Sequence, residues 1–277
     1  MSGFLERMAA SSAQRARLAR DHTSAAELLR RAEAQAPPRP IHLHERFDLI
    51  SEIKFRSPAE GALGQSGGGS ATPLQRAGAY EQGGAACLSV LTEPLEFHGS
   101  LEHLEQAVAA VDVPVMRKDF LVDVHQVLEA RAAGASGVLL IARILSDAAL
   151  DELCAAAHAL GLFVLAEAFD EVDLERIGRV LSPARSSGSG PVDLLVGVNT
   201  RDLTTLAVDP ARLSRVRPAL PADWITVAES GITHPADAAE AARLGYRMAL
   251  VGSALMRSDD PRSTVEELLA AGRGATT

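Results

Sequence analysis

Short runs of Val, Leu and Ile alternate along most of the chain with longer segments in which apolar residues recur at helical spacing. Eight apolar runs follow one another from residue 48 onward: DLISEIK, ACLSVLT, VPVMRKD, GVLLIAR, LFVLAEA, DLLVGVN, WITVAES and MALVGS. Near-continuous apolar strands that alternate with amphipathic helices are typical of a parallel sheet covered by helices. Eight strand–helix units use most of the chain, so too few residues remain for a second domain. The pattern therefore predicts the α/β class and a closed (β/α)8 TIM barrel, with an open doubly wound sheet as the alternative.

The segments between these strands also carry the signals of helix ends. Several begin at a residue whose side chain can cap a helix N-terminus, and several end at a glycine suited to the left-handed turn after a helix. The predicted N-caps are Ser100, Ser146 and Asp170, and the predicted C-terminal glycines are Gly83, Gly134, Gly161 and Gly245.

Residues 1–48 precede the first strand and predict an N-terminal helical extension with the proline-bearing linker APPRPIHLHERF. We expect this extension to pack across one end of the barrel, so that residues 1–277 form a single domain. The first residues are rich in Arg, Ala and Ser, but Glu6, Asp21 and an apolar face favour an ordinary helix over a targeting peptide. Residues 182–191, SPARSSGSGP, predict a mobile surface loop on the face opposite the active site.

Composition narrows the class of ligand. The net charge of −9 argues against a nucleic-acid surface, which needs clustered Lys and Arg, but it allows a small phosphorylated ligand held by a few groups. Cys87 and Cys154 lie in apolar surroundings and predict two buried free thiols. No apolar run reaches the ~18 residues of a membrane span, and no three of the eight histidines have metal-ligand spacing. The sequence therefore predicts a cytoplasmic protein with no membrane association, metal or cofactor.

Charged and polar residues stand where the predicted strands end. In a (β/α)8 barrel the chemistry lies at the C-terminal ends of the strands. Residues i and i+2 of a strand share a face, so inward positions are apolar low in the barrel and charged at its mouth. Such crowding of charge is costly unless the groups pair, and active sites are where it is tolerated. The strand-end residues are, in chain order, Glu52, Lys54, Lys118, Glu167, Asn199, Arg201, Glu229 and Ser230.

Two glycine-containing turns suggest a phosphate site. Ser230–Gly231 follows the seventh strand, and Gly252–Ser253 follows the eighth and opens a short helical turn. Loops after these two strands commonly bind phosphate in such barrels, and glycine lets backbone N–H groups approach the oxygens. Acid–base chemistry on a phosphorylated small molecule is therefore predicted. A lysine near other cations has a lowered pKa and is a usable acid at neutral pH. The residue types leave a lyase, an isomerase and a Schiff-base aldolase open.

Seven segments resemble, in order, the signature blocks of the indole-3-glycerol phosphate synthase family: ISEIKFRSP, SVLTEPLEFHGSLEHL, VPVMRKDFLVDVHQVLEARAAGASGVLLIARIL, LAEAFDE, VGVNTRDL, VAESGI and LVGSALMRSDDP. The resemblance implies a monomeric enzyme of tryptophan biosynthesis. This lyase closes 1-(2-carboxyphenylamino)-1-deoxyribulose 5-phosphate to indole-3-glycerol phosphate and releases CO2 and water. The alternatives are a paralogue that uses a modified anthranilate derivative, a different barrel activity and a non-catalytic protein.

The resemblance also implies a role for each matching residue. Lys118 would be the general acid at the substrate carbonyl, and Glu167 would be the second acid–base group, which serves the dehydration. Lys54 would contact the carboxylate or assist the acid step and be oriented by Glu52, while Asn199 and Glu229 would bind hydroxyls and hold the lysines. Arg201 and Ser57 would lie near the anthranilate carboxylate. The phosphate would be held by Ser230, Gly231, Gly252 and Ser253, and the aromatic pocket would be lined by Phe120, Leu139 and Leu203.

The first loop after strand one departs from the family pattern. Ala59 stands where the family usually has serine, and the stretch GALGQSGGGSAT follows it. Glycine-rich backbone is costly to order, so the sequence predicts a mobile lid over the substrate.

Overall fold

The computed structural model describes residues 3–63, 72–181, 193–203 and 205–275. Within them eight parallel strands close into a barrel, each paired with its neighbours in chain order and the last with the first. The strands are β1 Asp48–Ile53, β2 Cys87–Leu91, β3 Val115–Lys118, β4 Gly137–Ile141, β5 Phe163–Ala168, β6 Leu194–Asn199, β7 Thr226–Glu229 and β8 Met248–Val251. The predicted TIM barrel is confirmed, and each strand falls within one of the apolar runs that predict it.

The helices surround the barrel and precede it. They are α1 Phe4–His22, α2 Ala25–Ala34, α3 Pro73–Gln82, α4 Leu101–Ala110, α5 Val124–Ala132, α6 Asp147–Ala159, α7 Glu171–Leu181, α8 Ala211–Val216, α9 Pro235–Arg243, α10 Ser253–Arg257 and α11 Pro261–Ala275. The hydroxyls of Ser100 and Ser146 accept from backbone N–H groups of the first turn, and Asp170 accepts from the N–H of Asp173, as predicted.

Glycine provides the left-handed turn after four of the helices. Gly134, Gly161 and Gly245 have φ values of +86°, +72° and +85°. After α3 the positive φ lies at Gly84, whereas Gly83 remains in right-handed helical conformation. Gly83 is thus the C-cap of α3, as predicted, and its neighbour Gly84 takes the left-handed turn that follows.

Alternate residues of each strand face opposite sides of the barrel wall, so the strands lie between an outer and an inner apolar layer. Outward residues such as Leu49, Ile53 and Val164 pack against the helices. Inward residues of alternating positions form a separate cluster inside the barrel, which includes Ile50, Met116, Leu139, Leu165, Leu195 and Val227. The barrel is thus filled by apolar side chains below its C-terminal rim, and this dry interior borders the charged residues at the strand ends.

The N-terminal extension reaches both ends of the barrel, not one as the sequence analysis predicts. At the C-terminal end, Phe4 of α1 stacks edge-on against Phe120, just beyond β3, with ring centroids 6.1 Å apart. The chain then follows α5, and the linker crosses the N-terminal end, where the backbone N–H of Arg39 donates to Ser136 just before β4. Ile41 joins the interior cluster there. The linker is long enough to span the barrel, so the extension contributes to the mouth as well as to the floor.

The first loop after β1 contains a short antiparallel hairpin, in which Arg56–Ser57 pairs with Gly61–Ala62. The glycine-rich lid predicted for the rest of this loop falls mainly on residues 64–71, and the loop predicted at residues 182–191 also lies outside the described residues. No described helix is long and apolar enough to cross a membrane.

Candidate active site

The C-terminal ends of the barrel strands surround a cavity of about 520 Å³. Every residue that the sequence analysis assigns to the site lines it: Glu52, Lys54, Ser57, Lys118, Phe120, Leu139, Glu167, Asn199, Arg201, Leu203, Glu229, Ser230, Gly231, Gly252 and Ser253. Residues from all parts of the chain meet here because the ends of parallel strands share one rim.

A lysine and two carboxyl groups form the buried centre of this cavity. The Nζ atom of Lys118, the last residue of β3, lies 2.8 Å from Oε2 of Glu229 and 3.3 Å from Oε2 of Glu167. The two glutamates are only 1–2% exposed, so water competes little for these contacts. The centre can both donate and accept protons next to a bound molecule.

The charges around Lys118 contradict the expected lowering of its pKa. Burial by itself lowers the pKa, but the carboxylates of Glu229, Glu167 and Glu52 outweigh it and raise the pKa above 10.5. The prediction rested on repulsion from a second cation. In the structure, however, Lys54 is paired with Glu52 at 3.0 Å, and the charges that dominate at Lys118 are negative. Lys118 is therefore a firmly protonated ammonium in the free protein.

Glu229 is the carboxyl group with the most unusual environment. Its Oε1 atom is buried without a hydrogen-bond partner among the described residues, while Oε2 accepts from Lys118. Burial and the negative charge of the neighbouring Glu167 raise the pKa of Glu229, and the ammonium of Lys118 lowers it. The net result is a pKa of about 8. Near neutral pH this centre can therefore hold an extra proton, which is a useful property for acid–base chemistry.

Gly197 of β6 makes room for the carboxyl group of Glu229. A methyl group at this position would overlap Oε1 of Glu229 and would lie 3.2 Å from a Leu165 methyl group. Replacing Gly197 with alanine should therefore displace the carboxyl group and lower kcat/KM by about 10²-fold. It should also lower the free energy of unfolding by about 1–3 kcal/mol, because the site is overpacked. Steady-state kinetics and urea unfolding measure the two effects.

Gly78→Ala is the matched control for this substitution. Gly78 lies in α3, and a methyl group there would meet no atom within 4 Å. This variant should keep the wild-type kinetics and gain up to about 1 kcal/mol in helix stability. Wild-type kcat/KM in the Gly197→Ala variant would show that the position of Glu229 is not critical.

The second lysine lies beside the eighth strand. Lys54 pairs with Glu52, and the glycine at position 252 allows this pair to approach the end of β8. A methyl group at Gly252 would overlap the Glu52 carboxylate and lie 3.1 Å from Cε of Lys54. The close approach explains why a glycine is needed in this turn.

The turn after β7 is held in a conformation that is costly for a residue with a side chain. Ser230 and Gly231 have φ values of +64° and +77°. The Ser230 hydroxyl donates to Oδ1 of Asn199 at 2.9 Å, and the hydroxyl of Thr200 contacts the carbonyl oxygen atoms of Glu229 and Ser230 at 3.1 Å. These bonds stabilise the strained backbone, which commonly marks a functional site. In the sequence Thr200 is only one position of the NTRDL motif, because its contacts with the end of β7 form only in the folded barrel.

Arg201 presents a fixed guanidinium to the same side of the cavity. Its backbone N–H donates to Oδ1 of Asn199, and its Nη1 donates to the carbonyl oxygen of Leu206, both at 2.9 Å. A guanidinium held this way is suited to a carboxylate or phosphate, because its remaining donors are already oriented.

Aromatic rings form another part of the cavity lining. Phe120 stands between Phe4 of α1 and Phe97, whose centroids lie 6.1 and 6.2 Å from its own. The buried carboxylate of Glu93 accepts from the N–H groups of Leu95, Glu96 and Phe97 and so orders the loop that carries Phe97. Sequence reasoning missed Phe4 and Phe97, since neither lies at a strand end. The FLERM and EFHGS segments were the available signals.

A buried ionic network centred on Asp119, which itself lines the cavity, supports the neighbouring Lys118 and Phe120. Asp119 accepts from both terminal nitrogen atoms of Arg15 in α1 at 2.8 and 3.0 Å, from Thr92 at 2.8 Å and from Arg117 at 3.2 Å. Burial alone would raise the pKa of Asp119, but these donors lower it to about 2. The N-terminal helix is thereby bonded to the residue next to the central lysine.

Replacing Asp119 with asparagine should lower the free energy of unfolding by about 3 kcal/mol at pH 7, because Arg15 and Arg117 lose a buried partner. The pKa of Asp119 is depressed in the folded protein, so its stabilisation is complete above pH 4 and is lost between pH 4 and pH 2. Between pH 4 and pH 2 the free energy of unfolding of the wild type should therefore fall by about 2 kcal/mol more than that of the variant. The difference between the two proteins should therefore shrink as the pH falls.

Urea unfolding at pH 7, 4 and 3 measures this difference. Asp209→Asn is the control, because Asp209 forms an exposed pair with Arg215, and its replacement should leave the unfolding curves nearly unchanged. An equal loss of stability at pH 7 and pH 3 would contradict the ionised role of Asp119.

Among the described residues, no group of three or more His, Cys, Asp and Glu is arranged to hold a metal ion.

Comparison with known sequences identifies close relatives over almost the whole chain. A model of the family described as "Indole-3-glycerol phosphate synthase" matches residues 5–268. The chain is 41% identical to the indole-3-glycerol phosphate synthase of Mycolicibacterium smegmatis over 249 residues, which cover 89% of this chain and 86% of the relative. It is 42% identical to that of a Parafrankia species over 258 residues, or 92% and 91% of the two chains.

Solved structures support the fold. A 3-hexulose-6-phosphate synthase superimposes with a TM-score of 0.61 at 19% identity and covers 81% of this chain and 99% of its own. The thiamine phosphate pyrophosphorylase of Pyrococcus furiosus superimposes with a TM-score of 0.57 at 17% identity, covering 83% and 98%. At these identities the likeness concerns the barrel alone.

Proposed function

This chain belongs to the indole-3-glycerol phosphate synthase family, and we propose that its barrel cavity performs the family's ring closure by acid–base catalysis centred on Lys118. The protein is a carboxy-lyase of tryptophan biosynthesis that converts 1-(2-carboxyphenylamino)-1-deoxyribulose 5-phosphate to indole-3-glycerol phosphate. The observation that carries the catalytic proposal is the buried contact of Lys118 with Glu229 and Glu167 at 2.8 and 3.3 Å.

The lining of the cavity offers groups suited to each part of this substrate. The aromatic side, with Phe120, Leu139 and Leu203, would receive the anthranilate ring, and Arg201 and Ser57 would bind its carboxylate. The phosphate would lie on the two turns after β7 and β8. These turns contribute the hydroxyls of Ser230 and Ser253. They also contribute backbone N–H groups, which can approach an anion closely at Gly231 and Gly252.

Lys118 would protonate the carbonyl oxygen of the substrate as the ring carbon attacks the carbonyl carbon. The new carbon–carbon bond forms at the ring position that bears the carboxylate, and the electron pair of the carbonyl bond takes the proton. The raised pKa of Lys118 does not prevent this step, because the developing alkoxide is more basic than an amine. Carbon dioxide then leaves and returns its bonding electrons to the ring. The two carboxyl groups next to the neutral amine favour its reprotonation.

Glu167 would move the proton in the dehydration that follows, as the hydroxyl group leaves as water and the ring system becomes aromatic. Glu229 would bind a substrate hydroxyl and keep Lys118 in place. Asn199 already accepts from Ser230 and Arg201 through Oδ1, so its NH2 group would donate to the substrate. Lys54, oriented by Glu52, would assist at the carboxylate or in the acid step.

The test is to mix the purified protein with 1-(2-carboxyphenylamino)-1-deoxyribulose 5-phosphate and to follow indole fluorescence. Rapid formation of indole-3-glycerol phosphate supports the proposal. A protein that binds the compound and forms no product would contradict it, and would favour a paralogue that uses a modified anthranilate-derived substrate.

We also propose that the whole chain is one domain and that the protein is a cytoplasmic monomer. The contacts of α1 with Asp119, just after β3, and of the linker with Ser136, just before β4, support a single domain. Two buried free cysteines fit a reducing compartment. Light scattering on the eluted protein measures the oligomeric state, and a mass near twice 29.1 kDa would exclude the monomer.

A further inference from the structure

Glu60 places a carboxylate of the chain itself in the anion-binding part of the cavity. It lies in the turn of the hairpin after β1 and lines the cavity. Its Oε1 accepts from the hydroxyl of Ser253 at 2.7 Å and lies 3.6 Å from Nη2 of Arg201. Its Oε2 pairs with Arg257. One carboxylate thus joins donors from the loops after β6 and β8.

The surroundings of Glu60 favour its ionised form. Burial raises its pKa, but the hydroxyl of Ser253 and the positive charges of Arg257, Lys54 and Arg201 lower it further than burial raises it. A hydroxyl and guanidinium groups converging on one point are suited to carboxylates and phosphates alike. Glu60 therefore occupies a place where an external anion of either kind would also be stabilised.

Two of these donors also bind the substrate in the proposed function, on which this inference rests for the identity of the anion. Ser253 would hold the phosphate and Arg201 the anthranilate carboxylate. We propose that Glu60 is an internal competitor of the substrate: its carboxylate holds the anion subsite of the free protein, and a substrate anion must displace it.

The displacement does not require the hairpin to open. Glu60 follows the first strand of the hairpin, its backbone N–H bonds to the carbonyl oxygen of Ser57, and Leu63 bonds back to Phe55. Rotation about the side-chain torsions of Glu60 removes the carboxylate from Ser253 while these backbone bonds persist. Arg257 is half exposed and can keep the departing carboxylate as a partner at the rim.

The cost of this competition appears in the apparent affinity. The apparent dissociation constant equals the intrinsic one divided by the fraction of molecules in which the subsite is free. Partly exposed ion pairs are individually weak, so Glu60 should weaken the binding of anions by about tenfold and not by several orders of magnitude.

Calorimetric titration with inorganic phosphate tests the inference without depending on turnover. Glu60→Gln and Glu60→Ala should each lower the dissociation constant of phosphate by about tenfold relative to the wild type. Glu240→Gln is the matched control, because it removes the same charge from an exposed pair with Arg243 in the helical layer and should leave the constant unchanged. In the Glu60 variants the KM for the carboxyphenylamino-deoxyribulose phosphate should fall in parallel with the dissociation constant of phosphate, and kcat should change little.

Equal phosphate affinity in the wild type and both Glu60 variants would overturn the inference, whatever the turnover. Weaker phosphate binding in the variants would also overturn it, since Glu60 would then support the subsite. If the wild type forms no indole product while both variants bind phosphate more tightly, the proposed function fails and the inference stands. Thermal unfolding of each variant confirms that the compared proteins are folded.

Discussion

Replacing Lys118 with alanine should lower kcat by about 10⁴-fold, at the upper end of what a general acid contributes. Lys118 is the donor closest to both glutamates, and its loss removes the proton source and leaves Glu229 and Glu167 without their cation. The affinity for inorganic phosphate should remain near the wild-type value, because the amine bonds to Glu167 and Glu229, while the phosphate is proposed to lie on the turns after β7 and β8. Indole fluorescence measures the first effect, and calorimetry measures the second.

A second variant separates the charge of Lys118 from its proton. Lys118→Arg keeps the positive charge, but a guanidinium does not give up a proton in proteins. We expect it to be nearly as inactive as Lys118→Ala. If Lys118→Arg instead kept wild-type activity, Lys118 would act only as a fixed charge.

The composition of the chain permits a direct measurement of the Lys118 pKa. Lys54 and Lys118 are the only two lysines in the sequence, since the other 25 of its 27 Lys and Arg residues are arginines. A protein labelled with ¹⁵N at its lysine amines therefore gives two side-chain signals, and each variant identifies one. The Lys118 signal should titrate above the ordinary value of 10.5, and titration below this value would contradict the ion pairs described here.

Replacing Glu167 with glutamine should lower the rate of indole formation by about 10³-fold, because the isosteric amide cannot transfer the proton of the dehydration. The release of CO2 precedes this step, so in a single turnover the variant should still release CO2 while indole fluorescence fails to develop. The contact with Lys118 becomes weaker, but the fold should persist because the shape of the side chain is unchanged.

Glu240→Gln is the matched control for this substitution as well, since it removes one charge from an exposed pair and should keep both rates. Parallel loss of CO2 release and indole formation in Glu167→Gln would contradict a role confined to dehydration. It would place Glu167 in ring closure, as a partner of Lys118.

The mutual positions of the ionised groups were the part of the site that sequence reasoning could not supply. It placed Lys54 and Lys118 together at the rim and concluded that they repel. In the barrel Lys54 forms an ion pair with Glu52, and Lys118 forms ion pairs with Glu229 and Glu167. The negative charge of Glu52 also acts on Lys118, so the repulsion between the two lysines is outweighed. A pKa depends on distances of a few ångströms, and these are decided by the packing of several strands against one another.

The same limit explains the residues that were missed. Glu60 follows Ala59 in a loop whose sequence already departs from the family pattern. Its side chain contacts Arg201 and Ser253, which lie far away along the chain. Phe4 belongs to a helix that nothing in its own sequence assigns to the mouth of the barrel. For these residues the local sequence states only the type of side chain.

The alternation of apolar strands and amphipathic helices determined the barrel, and the parity of each strand determined which side chains face the cavity. Both properties are local, because the spacing of residues along a strand or helix decides which face is buried. The tertiary structure alone decided that the pKa of Lys118 is raised, that Gly197 makes room for Glu229, and that the subsite for an external anion holds Glu60. These properties depend on contacts between residues far apart in the chain, which form only when the barrel closes.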